Sequence, residues 1–94
     1  MVVSGPYKEK KLNNQIVRFF DKNVKSEELV WHRDEKTRIV EVLEGENWEF
    51  QFDNSLPVNL KVGDVLNIPA KAYHRIKAGT TNLKIKITEV NENE

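Results

Sequence analysis

Apolar and polar residues alternate with a period of two along most of the chain, and turn-forming residues interrupt the alternation at short intervals. That pattern predicts an all-β domain of short strands, since side chains two apart share one face of a strand. Gln15 to Phe20 reads as a first strand between loops at Asn13-Asn14 and Asp21 to Asn23. Glu28 to Arg33 reads as a second, edged by charge. Thr37 to Leu43 alternates well, with Arg38, Val40 and Val42 on one face and Ile39, Glu41 and Leu43 on the other. After Glu44-Gly45-Glu46-Asn47, the residues Trp48, Phe50 and Phe52 share a face, which predicts a hairpin across that turn. Val58 to Val62, Val65 to Ile68, Tyr73 to Lys77 and Leu83 to Glu89 complete about eight strands. Gly63 supplies the turn at Lys61 to Asp64, and Pro69 ends a strand because it cannot donate to a ladder. No long helical stripe competes with this reading.

With 94 residues the chain has room for one core. The expected domain spans residues 1–94, with a barrel over about 15–89, an amino-terminal arm over 1–14 and a frayed tail over 90–94. Fifteen basic and fifteen acidic side chains cancel, which removes the long-range positive field that nucleic-acid binding relies on. Lys84 and Lys86, alternating with Leu83, Ile85 and Ile87, read as the wet face of a strand. With no cysteine there is neither a disulfide nor a thiolate, so a metal would take nitrogen and oxygen ligands, and a reducing cytoplasm is the expected compartment. No apolar run reaches the length of a membrane span, and the first residues lack the apolar core of a signal peptide, so a soluble, unprocessed protein is expected.

Two stretches carry candidate chemistry. One contains His32, Asp34, Arg38 and Gly45, and the other Gly63, Pro69, Lys71, His74 and Ala78. In order and spacing they resemble the paired motifs of the cupin superfamily over roughly residues 26 to 89. His32, Gly45, Gly63, Pro69 and His74 match by type. Asp34 stands where that family has a second His, Arg38 where it has a Glu, Ser26 and Lys71 at two Gly positions, and Ala78 at an Asn. The resemblance implies a small double-stranded β-helix, a jelly-roll-like barrel, with the motif side chains converging on its interior.

It also implies a ligand set. His32 and Asp34 lie two apart and so share a face, and with His74 they become candidate ligands. Two histidines and one carboxylate suit non-haem Fe(II) and also accept Mn, Ni or Zn, leaving positions open for a substrate. Arg38 complicates this. A guanidinium cannot ligate a metal, and its natural partner is Asp34. Three arrangements follow: a metal held by His32, Asp34 and His74; the same metal with Arg38 holding an anionic substrate group; or a metal-free barrel with an Asp34–Arg38 ion pair. Gln51, polar within an apolar strand, is a candidate substrate-binding residue, with an exposed face as its plainer role.

The functional classes are correspondingly three: a metal-dependent enzyme of dioxygenase or isomerase type acting on a small polar or anionic molecule, a non-catalytic small-molecule barrel, and a structural or interaction module. No individual catalytic residue is assigned. Trp31 and Tyr73 each precede a motif histidine and turn away from the cavity, as do Arg33 and Arg75 after them. With Ile39 and Leu43, Trp31 and Tyr73 give an apolar outer surface, which predicts a homodimer or higher oligomer.

Overall fold

The strand alternation decides which side chains meet. In the computed structural model, which describes residues 2–4 and 6–91, nine strands occur in chain order: β1 (Val2–Ser4), β2 (Tyr7–Leu12), β3 (Gln15–Phe20), β4 (Thr37–Glu44), β5 (Glu49–Phe52), β6 (Val58–Asn59), β7 (Val65–Ile68), β8 (His74–Lys77) and β9 (Leu83–Val90). They form a six-stranded sheet in the order β1-β2-β3-β9-β4-β7 and a three-stranded sheet in the order β6-β5-β8. Neighbours are antiparallel throughout. The architecture is the all-β barrel that the sequence predicts.

Register carries the core across the larger sheet. Ile16 opposes Ile87, which opposes Val40, and Ile85 opposes Val42. These apolar side chains are buried against Trp48, Phe50 and Leu60 from the other side of the barrel. Trp48 is fully buried and donates its indole N–H to the carbonyl of Thr81 at 2.7 Å, satisfying its one polar atom. Gly79 makes room for this arrangement, since a Cβ there would lie 2.2 Å from the Glu46 carbonyl oxygen and 2.6 Å from the Trp48 ring. Removing the Trp48 side chain would cost about 3–5 kcal/mol.

Four local expectations give way to tertiary structure. Within the expected arm, Val2–Ser4 and Tyr7–Leu12 are strands, because β1 pairs with β2 and β2 pairs with β3 from Tyr7↔Phe20 to Leu12↔Gln15. Glu28 to Arg33 is not a strand. A 3-10 turn at Ser26–Glu28, closed by Leu29 N–H donating to the Ser26 carbonyl at 3.1 Å, leads into a segment that meets a strand only at the His32↔His74 bridge. The turn after Glu44 is not a hairpin, since β4 and β5 enter different sheets; Gly45 (φ 142°) and Asn47 (φ 63°) swing the chain from one layer to the other. The strand expected over Val58 to Val62 shrinks to β6. Gly63 does hold a positive φ of 94°, as its turn requires. Of the expected tail, residues 92–94 lie outside the described residues.

Candidate metal centre

His32 and His74 face each other because their backbones are paired. His32 N–H donates to the His74 carbonyl at 3.0 Å and His74 N–H to the His32 carbonyl at 2.9 Å, so both imidazoles leave the ladder on the same side. The ring centroids lie 4.3 Å apart, nearly edge to face, and Phe50 stacks on His74 at 5.6 Å. Asp34 is positioned by its own backbone, whose carbonyl accepts from Lys71 N–H at 2.7 Å. Lys71 achieves this with a φ of 66°, the left-handed conformation that glycine adopts more easily. The resemblance places a Gly at this position, and the structure shows the backbone reason for one.

The two imidazoles are held alike. His32 Nδ1 lies 3.0 Å from the Val30 carbonyl oxygen and His74 Nδ1 lies 2.8 Å from that of Ala72. A carbonyl only accepts, so each Nδ1 carries a proton and a neutral ring presents the lone pair of Nε2. The nitrogen and oxygen donors of His32, Asp34 and His74 all lie within 4.8 Å of one another. His74 is buried and its pKa is lowered, chiefly by desolvation, with His32 and Arg38 adding to the effect and the Ala72 hydrogen bond and Asp34 opposing it. At neutral pH its ring is therefore neutral.

Asp34 divides its oxygens. Oδ1 faces Arg38 Nη1 at 3.3 Å, whereas Oδ2 lies 3.4 Å from His74 Nε2 and is buried without a hydrogen-bond partner among the described residues. A carboxylate oxygen and an imidazole lone pair thus confront one another in a poorly solvated site. A cation between them removes the repulsion, and a metal ion fits the donor chemistry. His32, Asp34 and His74 would hold it, the exposed His32 having the most freedom to adjust. The sequence-predicted ion pair is present at the same time: Arg38 spans Asp34 and, through Nη2 at 3.0 Å, Glu89. Glu89 opposes Arg38 in the β4–β9 register, and sequence spacing gives no sign of that. Arg38 Nε is buried and without a partner among the described residues.

Beneath the triad lies a cavity of about 260 Å³. His32, Asp34, Arg38 and His74 contribute to its wall, and Val40, Phe50, Leu66, Ile68, Ile85 and Ile87 make much of the rest apolar. Gln51 is not brought to it. Its amide accepts from Arg75 Nε at 3.0 Å and donates to the Ser55 carbonyl at 3.0 Å, on the opposite face of β5 from Phe50 and Phe52. On that face Arg75 lies 4.5 Å over Trp31 and Arg33 lies 5.3 Å over Tyr73, so these four turn outward as predicted. Sequence reasoning missed Arg18 and Glu9, both at or near the cavity wall; the visible signal was a charge at the parity of Ile16 and Phe20 in β3.

Comparison with known structures agrees with this fold. The chain is similar to an RmlC-like cupin from Shewanella frigidimarina NCIMB 400, with a TM-score of 0.71 and 18% identity over 98% of this chain and 83% of that one. It is similar to the DMSP lyase DddQ from Ruegeria pomeroyi DSS-3, with a TM-score of 0.72 and 19% identity over 85% of this chain. A third is Fe(II)-HppE with the alternative substrate (S)-1-HPP, with a TM-score of 0.64 and 15% identity over 89% of this chain. The chain spans 39% of the lyase and 48% of HppE. No protein-family model matches the chain, and no curated protein sequence matches it. The protein has the cupin fold, and His32, Asp34 and His74 can hold a metal in it.

Proposed function

We propose that the protein is a small metal-dependent cupin that binds and acts on a small molecule in its barrel, with a divalent metal held by His32, Asp34 and His74. One observation carries this reading: Asp34 Oδ2, buried and without a hydrogen-bond partner, faces the unprotonated Nε2 of His74 at 3.4 Å. Such a pair is costly without a cation. The two Nδ1–H bonds to Val30 and Ala72 supply the outer support that metal-binding histidines need. Two histidines and one carboxylate favour Fe(II), and a neighbour in fold is an Fe(II) protein. When bound, the metal would supply Lewis acidity and open positions for substrate oxygen atoms. Arg38, in the same wall, would stand beside the substrate.

The metal-free ion pair is the competing reading, supported by the Arg38 contacts to Asp34 and Glu89. Metal analysis of protein purified without added metal, followed by titration with Fe(II), Mn(II), Ni(II) and Zn(II), separates the two. One equivalent bound supports the metal centre, and no binding of any of the four contradicts it.

A homodimer is part of the same proposal. Trp31 and Tyr73 are exposed, as is the adjoining Val30, while Ile39 and Leu43 are half-buried. Light scattering at high concentration should give twice the monomer mass, and the monomer mass would contradict the proposal. No helix among the described residues is long and apolar enough to cross a membrane. The absence of cysteine supports a reducing, cytoplasmic setting.

A further inference from the structure

A second arginine lines the cavity, and nothing in the metal centre requires it. Arg18 lies on β3 at the parity of the buried Ile16 and Phe20, so the strand directs it inward. Glu9 opposes it on β2, and Arg18 Nε donates to Glu9 Oε1 at 2.6 Å. The guanidinium carbon sits 4.2 Å above the Tyr7 ring. The side chains of Arg18 and Glu9 are 14% and 11% exposed, so both are held largely away from water. No other described residue accepts a hydrogen bond from the terminal nitrogens of Arg18, and the residue forms part of the cavity wall. Nε is therefore taken by Glu9, the guanidinium rests over Tyr7, and the terminal nitrogens keep no acceptor among the described residues.

Arg38 is the reverse case, because its terminal nitrogens are occupied by Asp34 and Glu89. The anion-holding role expected of Arg38 suits Arg18 better. We propose that Arg18 is the carboxylate-binding residue of the cavity and that its ligands are small amphiphilic monocarboxylates. The carboxylate takes the open fork of Arg18, the apolar body lies along Phe20, Val40, Ile85 and Ile87, and the far end reaches the metal centre. A planar fork matches a carboxylate with two parallel N–H bonds, which an alcohol or amide cannot reproduce.

Register sets the length. Arg18 opposes Ile85 and Arg38 opposes Glu89, four residues apart on β9. The two arginines therefore leave the sheet ~13 Å apart along the strands and ~10 Å across them, and both side chains reach inward to shorten the gap. A cavity of about 260 Å³ sits below the range of drug-sized pockets, so the body has roughly six to eight carbons. Glu28 also borders the cavity, but it is exposed on the 3-10 turn and stays solvated.

The inference rests on the reading that the barrel takes a small molecule, and it is tested in metal-free protein so that the two can fail separately. Amide resonances of the parent are followed by NMR during titration with butyrate, hexanoate and octanoate, with 1-hexanol and hexanamide as uncharged controls. Hexanoate and octanoate should shift residues of β3 and β9 and bind at least tenfold more tightly than either control. Arg18→Gln, and the charge-balanced double variant Glu9→Gln/Arg18→Gln that guards against misfolding, should each lose at least tenfold in hexanoate affinity. Arg18→Lys keeps the charge, loses the fork and should fall between. Equal binding of hexanoate and hexanol, unchanged hexanoate affinity in the folded double variant, or no binding of any of the three acids overturns the assignment. Metal titration of the parent reports on the metal centre independently.

Discussion

The cavity wall carries two inward arginines on the same sheet, and they are wired in opposite ways. Among the described residues, Arg38 spends its terminal nitrogens on Asp34 and Glu89 and leaves Nε without a partner, whereas Arg18 is held at Nε by Glu9 and leaves its terminal nitrogens without an acceptor. Both are nearly equally buried. The difference teaches that residue type and burial do not define a role; what decides it is which atoms of the guanidinium are already engaged. Arg38 holds the carboxylate of Asp34, and Arg18 is the residue we propose receives a ligand.

The largest effect should come from reversing the charge of Arg38. Arg38→Glu places a carboxylate between Asp34 and Glu89, which in metal-free protein should cost about 3–5 kcal/mol. Thermal unfolding with Mn(II) and with chelator should show the gap between the two conditions widening relative to the parent. An unchanged gap would mean that Arg38 and the metal site are not coupled.

Breaking the other pair should cost less, because Arg18→Gln removes a charge where Arg38→Glu reverses one. Arg18→Gln alone leaves Glu9 unpaired and should destabilise by ~2–3 kcal/mol, while Glu9→Gln/Arg18→Gln recovers part of that. A double-mutant cycle in urea measures the coupling, and additive single effects would remove the clamp from the account.

A smaller, pH-dependent effect separates the two regions, since only the Arg38 side contains a titrating imidazole. The folded pKa of His74 lies below its unfolded value, mainly through desolvation. Its contribution is therefore fully present above ~pH 6.5 and is lost as pH falls through the folded value, where the native state must take up a proton in a buried site. Metal affinity should fall in the same window. Urea midpoints of the parent and His74→Gln should diverge above that window and converge below it; parallel profiles would contradict the assignment.

The motif region was legible in the sequence because a single parity rule governs it. Thr37–Glu44 and Glu49–Phe52 alternate cleanly, and His32, Asp34, Arg38 and His74 converge as the resemblance to the cupin motifs implies. The amino-terminal strands were hidden, because the inward face of β2 includes Glu9 rather than an unbroken apolar row, so the segment reads as a charged arm. The turn at Glu44 misled for another reason. Its local chemistry suits a hairpin, but burial of Trp48 between the layers carries β5 into the other sheet. Glu89 and Arg18 acquire their partners through register between strands far apart in sequence, which one-dimensional spacing does not encode.

The central claim, a metal bound by His32, Asp34 and His74, is tested most directly by adding Co(II) to metal-free protein and recording its paramagnetically shifted proton NMR spectrum. One equivalent should bind and produce two strongly shifted exchangeable signals, the Nδ1–H protons held by Val30 and Ala72, and Asp34→Ala should weaken binding by at least about a hundredfold. A parent that binds no Co(II), or binds it without those two signals, would contradict the metal centre.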